Sequence, residues 1–290
     1  NIFFICLCAL FAFTGCADDD DDLLTGGNVD IDLLPDSKPN DVVNTNVFDI
    51  INLNYPGLEK VKEFYKTGEY YYAANALLEY YRTRTNVTNP NLSLINVTIS
   101  EADQAKADYA LEDYRFHVNN FYEDQETLKP YSLKKDGTIN WTFSPEGASD
   151  EYQKQLHRHQ WFIPQAKAYR ISGSEKYIQS WMEVYNNWIN QNPKPESGTN
   201  TTSWWQLQVA TRINDQVQLL EYFKNSINFT PEWLTTFLVE FAEQADFLVD
   251  YPYESGGNIL ISQANALATA GTLMPEFKNA EKWMETGYQI

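Results

Sequence analysis

The stretch TPEWLTTFLVEFAEQADFL, residues 230–248, decides how the rest of the chain is read. Thr230 stands where a helix cap belongs, Pro231 fits the first helical position, and the apolar residues then recur at helical spacing. Outward from it the same pattern repeats. Helices are expected from about Ser203 to Phe223, from Ser174 to Gln191 with Pro193 beyond, and from Ser149 to Ile171 before Ser172-Gly173. On the other side, helices are expected from Asn258 to about Leu273 and from Pro275 onward, still running at Ile290. Leu58, Val61, Phe64 and Tyr65, with the run Tyr72–Arg82, form a helical hairpin, and Ser100 caps a helix to about Tyr114. No 34-residue period marks a repeat array, and nothing alternates with period two long enough for a strand. Residues 83–99 and 115–148 are long loops; the second is long enough to expect a function of it. Several helices are apolar on more than one face, as the inner helices of a two-layered ring must be. The expected fold class is all-α, an incomplete (α/α) toroid over residues 48–290; a less regular bundle is the alternative. The pattern has no stop signal at residue 290, which is read as a truncation.

Composition supports a large core. The 290 residues include 8 Trp, 19 Tyr and 16 Phe, far too much ring surface for a disordered acidic chain. The formal net charge of −19 argues against a general nucleic-acid or anionic-membrane binder, since phosphate contact needs a basic surface. A polyanionic ligand would need a local pocket working against the global field.

The first residue is Asn1. Ile2–Phe13 is apolar but shorter than the roughly 20 residues of a membrane-spanning helix, and small residues lead into Cys16, the form of an export signal. Phe13-Thr14-Gly15-Cys16 resembles the lipobox of bacterial lipoproteins, in which the cysteine carries the lipid. Residues 1–16 are thus expected to be a lipoprotein signal with Cys16 as lipid anchor, the alternative being an ordinary cleaved signal with an incidental cysteine, and contact with a membrane is expected only through that anchor, on the bacterial cell envelope. Cys6 and Cys8 lie inside the signal, leaving no disulfide or zinc set. Asp18–Asp22 then form a solvated run that resembles the acidic tract of surface lipoproteins in gut Bacteroidetes. Residues 17–47 are read as an acidic tether and linker.

Chemistry has few candidates. His157 and His159 sit two apart on an expected helix and point to different faces; His117 is the third histidine. No metal site, nucleotide loop or hydrolase elbow is present in the sequence, and no cofactor is expected. Helical toroids commonly hydrolyse or eliminate glycosidic bonds. Hydrolysis needs a carboxyl pair that composition alone cannot nominate. Elimination at a uronic acid needs the sugar carboxylate neutralised, so that the C5 proton becomes acidic, and a Tyr or His to move that proton. Ser255-Gly256-Gly257-Asn258 suits the neutralising role, because an amide and free backbone N–H groups converge where a helix begins. The alternative is that Asn258 simply caps its helix. Trp204, Trp205 and Arg212, with Trp141, are candidates to stack sugars and pair with acid groups, against plain core packing. Arg158, in Gln155-Leu156-His157-Arg158-His159, is a candidate basic wall of a cleft or part of a satisfied surface cluster.

Five stretches together, INLNYPGLEKVKEFYKTGEYYYAANALLEYYR (51–82), INW (139–141), QLHRHQWF (155–162), SGSEKY with downstream WI and NP (172–193) and GGNILISQANALATAGTLMPEFKNAEKW (256–283), resemble the N-terminal toroid of heparinase III-like heparan-sulfate lyases. They keep that family's order over residues 48–290, and the acidic leader favours its Bacteroides-type branch. The resemblance implies metal-independent β-elimination of low-sulfated heparan sulfate. It places the family's carboxylate-neutralising asparagine on Asn258 and its Q-L-H-R histidine on His157. A further histidine before the INW segment falls on His117, with the local spacing offset. It also implies that the catalytic tyrosine, another histidine and a β-sandwich lie beyond residue 290, so that the fragment alone is inactive and exposes apolar helix faces. Alginate or another uronate polysaccharide is the alternative substrate; a helical glycan-binding lipoprotein without catalysis is the alternative of a different class.

Overall fold

Ser100 and Thr230 do what their sequence context dictates. The Ser100 hydroxyl accepts from the Asp103 N–H at 3.1 Å, and the Thr230 hydroxyl from the Trp233 N–H at 3.3 Å. The computed structural model describes residues 39–119, 121–200 and 202–290. The signal, Cys16 and the Asp18–Asp22 run lie outside the described residues. After a 3₁₀ turn at Asn40–Val42 come α1 (Val47–Ile50), α2 (Glu59–Lys66), α3 (Tyr70–Thr83) and α4 (Glu101–Tyr109). A two-residue hairpin, β1 (Lys134–Lys135) with β2 (Thr138–Ile139), turns at Asp136-Gly137 and is the only sheet among the described residues. Then follow α5 (Glu151–Leu156), α6 (Phe162–Ser172), α7 (Lys176–Gln191), α8 (Gln206–Phe223), α9 (Pro231–Asp250), α10 (Asn258–Leu273) and α11 (Ala280–Gln289).

Alternate helices line up. α4, α6, α8 and α10 are successive neighbours in one row, while α7 packs behind α6, α9 behind α8 and α10, and α11 behind α10. Trp181 of α7 stitches the layers, stacking on Phe223 of α8 at 5.2 Å and meeting Trp233 of α9 edge-on at 5.2 Å. Each short return sends the chain back, so α6, α8 and α10 run parallel. Their C-terminal ends meet through Tyr169 and Phe223, 5.2 Å apart, and through Arg84, which bonds Glu221 and Glu276. This two-layered alternation is that of an (α/α) toroid. The α10–α11 contact is tight: a Cβ on Gly271 would stand 2.3 Å from the Ala280 carbonyl oxygen.

The structure departs from the sequence reading in three places. The helix expected over 149–171 is broken: α5 stops at Leu156, and His159 is left-handed at φ +57°. The cause is distant, because the His157 carbonyl accepts from Arg212 Nη1 at 2.8 Å instead of continuing a helix. His157 and His159 are therefore not on a helix at all. Pro275 does not open the last helix, which begins at Ala280; residues 275–279 instead lie along α1. There the Asn52 N–H donates to the Glu276 carbonyl at 2.8 Å and the Lys278 N–H to that of Ile50 at 2.9 Å. The linker expected over 17–47 extends too far. Asn40 accepts from the Tyr71 N–H, the Asn44 N–H donates to Thr235, and Val43 and Val47 are buried, so these residues belong to the body.

Candidate active site

The parallel inner helices bring three sequence segments to one end of the row: 155–161 before α6, 203–205 before α8 and 251–257 before α10. Cross-links hold them together. Arg212 Nη1 donates to the carbonyls of His157 and Ser203, both at 2.8 Å, and Gln206 Nε2 donates to that of Tyr251 at 2.9 Å. None of the three helix starts carries a side-chain cap.

Asn258 is the first residue of α10, and its side chain is exposed. The cap position belongs to Gly257, so Asn258 is not the cap of its helix. Gly257 adopts φ +113° and ψ −163°, a region essentially closed to residues with a Cβ. Its carbonyl accepts from the Ile261 N–H at 3.1 Å, leaving the N–H groups of the first turn pointing out of the helix end beside the Asn258 amide. The loop before it is fixed from behind by Gln263, which is fully buried. Gln263 Nε2 donates to the Leu248 carbonyl at 2.6 Å, and its Oε1 accepts from the Tyr253 N–H at 2.9 Å. Nothing in the sequence separates this glutamine from an ordinary polar helix position.

A groove of about 470 Å³ runs along the same loop to Ser255, three residues before Asn258. Its walls include Thr199, Trp205, Tyr253, Asp250 and Glu254. Trp205 and Tyr253 are half-buried, their rings 6.4 Å apart at 67°. Lys154 Nζ lies 5.5 Å from the Trp205 ring and is paired with Asp150 at 2.8 Å.

The other candidates are placed differently. Trp204 is fully buried, its Nε1 donating to the Asn192 carbonyl at 2.8 Å, so it packs the core and stacks no sugar. Trp141 is likewise buried. Arg212 is 1 % exposed; it lies 4.3 Å from the Trp188 ring, and its Nε donates to Gln244. Burial lowers its pKa to about 10, so it remains a cation at neutral pH, but one that braces the fold and pairs with no ligand. His157 is 3 % exposed and accepts from Trp188 Nε1 at 3.0 Å on its Nδ1. Burial, and secondarily the Arg212 charge, lower its pKa to about 3, so it is a neutral inward-facing ring that does not touch the groove. Arg158 is buried and its Nη2 pairs with Glu151 at 3.0 Å, so its charge is answered within the fold and it is not a free basic wall. His117 is half-buried, stacked on Phe121 at 4.5 Å, and no described contact ties it to the groove. Of the nominated side chains, Trp205 lines the groove, and Asn258 is exposed three residues beyond the groove's last lining residue, Ser255.

This arrangement can be set beside known proteins. The family model described as Heparinase II/III N-terminus matches residues 47–290. The heparin-sulfate lyase of Bacteroides thetaiotaomicron is 88 % identical over 290 residues, which is 100 % of this chain and 41 % of that protein. The heparin-sulfate lyase of Bacteroides stercoris is 39 % identical over 265 residues, 86 % of this chain and 38 % of that protein. A crystal structure of heparinase III superposes with a TM-score of 0.83 at 87 % identity, over 85 % of this chain and 38 % of the other. The helical rows described above match the N-terminal toroid part of that structure, and the chain spans about two fifths of the length of these relatives. On sequence and architecture alike, the chain belongs to the heparinase II/III family, as its N-terminal region.

Proposed function

We propose that the chain is the toroid part of a polysaccharide lyase that cleaves low-sulfated heparan sulfate by metal-independent β-elimination. The observation that carries this reading is the exposed Asn258 amide at the uncapped start of α10, held behind Gly257. In the reaction, Asn258 Nδ2–H and the first-turn N–H groups bind the carboxylate of the uronic acid. Charge on that carboxylate grows as C5 loses its proton, and donors already aimed at it stabilise the developing anion without reorganising. A base takes the C5 proton, the C5 electron pair forms the C4=C5 bond, and the C4–O4 bond breaks with O4 leaving protonated. Neither His157, inward-facing and neutral, nor His117, which stands apart, is placed to move that proton from this site. The similarity to heparin-sulfate lyases supports the substrate class. Anchorage to the cell envelope through Cys16 belongs to the same proposal and rests on the sequence of residues 1–22.

The test is a protein carrying this chain at the full length of its relatives, incubated with heparan sulfate and followed by the ultraviolet absorbance of an unsaturated uronate. Asn258→Ala is expected to lose 100-fold or more in turnover, on the scale of about 10²–10³ for removing one oxyanion donor, while its melting curve stays within a degree or two. Normal turnover in that variant rejects the assignment. Binding without the chromophore in the parent protein points to a glycan-binding role instead.

A further inference from the structure

We propose that Gln263 is a positioning residue of the reaction: fully buried, it touches no substrate and acts through Asn258, by stapling the α9–α10 connection to the helix that carries the asparagine. The inference rests on the lyase reading for the role of Asn258. Its own ground is where the two bonds of Gln263 fall. Oε1 accepts from the Tyr253 N–H, 10 residues back along the chain, and Asn258 stands midway between the two. Nε2 donates to the Leu248 carbonyl, 15 residues back in the last turn of α9, where a helix end leaves its carbonyls without partners. One amide therefore ties both the end of α9 and the loop to the second turn of α10.

Little else restrains that span. Residues 254–256 make no backbone–backbone hydrogen bond with a described residue, and residues 254–258 are all exposed. The start of α10 has no side-chain cap, and the Gly257 carbonyl meets only its own helix, at the Ile261 N–H. From α8, Gln206 Nε2 holds the Tyr251 carbonyl, so the chain is pinned as far as Tyr253 and unsupported from there to the helix. The direction in which it enters Gly257, and with it the peptide that carries the Asn258 amide, is set at the Tyr253 anchor. An apolar side chain of the same length at 263 leaves the Leu248 carbonyl in a buried place and releases the Tyr253 N–H to water, and the loop moves to satisfy them.

The experiment is a double-mutant cycle in the full-length protein with heparan sulfate, assayed well below every melting midpoint. Gln263→Met is expected to lower kcat by about 10- to 100-fold, the scale for a reacting group displaced by up to about 1 Å, with KM changed far less. In the Asn258→Ala background the same substitution is expected to cost less than about twofold of the residual turnover, because no amide is left to misplace. A loss repeated in full in that background overturns the inference, since a merely structural glutamine lowers both alike. So does normal turnover in Gln263→Met, or a loss confined to KM. If Gln263→Met does not fold, Gln263→Asn, a methylene too short to hold both bonds, carries the same cycle. Asn258→Ala alone decides the lyase role of Asn258, so a failure there is read separately from a failure of the cycle.

Discussion

Gly256 and Gly257 are neighbours with opposite expected responses to the same substitution. A Cβ at either position meets no atom within 4 Å, so sterics with the surroundings do not distinguish them. Backbone does. Gly257 sits at φ +113° and ψ −163°, whereas Gly256 is not in the left-handed half of the map. An alanine held in the glycine-only region costs about 1–3 kcal/mol, and for a domain of this size each kcal/mol lowers the melting temperature by roughly 2–4 °C. If the loop keeps its shape, Gly257→Ala should therefore melt several degrees lower. If it relaxes, the Gly257 carbonyl swings away from the Ile261 N–H and the Asn258 amide moves with the peptide. A displacement of about 1 Å is enough to cost 100-fold in rate. Thermal unfolding and turnover, read together on both variants, cover the two routes. Gly256→Ala should change neither. Equal effects from both alanines, or a Gly257→Ala protein normal in stability and turnover, would show that Asn258 is not held by this backbone conformation.

Two further outcomes are expected. Arg212→Met should destabilise the fold by about 3 kcal/mol or more in urea denaturation, because it strands the carbonyls of His157 and Ser203 and the Gln244 amide oxygen in a buried site. Arg212→Lys should recover little of it, since an ammonium cannot reproduce the planar fork. Glu240 is buried and its pKa is raised to about 7, first by burial and then by Glu243. A carboxyl raised in this way contributes stability that is full below its unfolded value near 4.5 and lost as pH climbs through 7. Glu240→Gln should accordingly stabilise at pH 8, by at most about 3 kcal/mol for a shift of this size, and change nothing at pH 4. Equal denaturation midpoints for the parent and Glu240→Gln at pH 8 would contradict that origin.

Local signals were legible in the sequence and distant ones were not. The caps at Ser100 and Thr230, and the spans of α7, α9 and α10, follow from residues within one or two turns of each helix end. The break at 157–161 is set by a guanidinium 55 residues away, and the turn at 275–279 by backbone bonds to Ile50 and Asn52. No periodicity carries that information. Trp204 and Trp205 make the point most directly. They are adjacent and identical in type, yet one fills the core and the other lines the groove, because a strand-like step into α8 turns consecutive side chains to opposite sides. The start of α10 at Asn258 was legible because glycine and helix start are both local; Gln263, which fixes the loop before it, was not.

The same contrast bears on where an acidic ligand, as proposed above, meets positive charge on so acidic a chain. The sequence offers Arg158, Arg212 and His157 as the local positive wall, and the structure spends all three inside: one on Glu151, one on carbonyls, one uncharged against Trp188. What remains at that end are the uncapped starts of α6, α8 and α10, each equivalent to roughly half a positive charge fixed in the backbone. Such charge does not titrate and brings no long side chain to order. It also falls off within a turn, so it favours only an anion seated at the helix start itself.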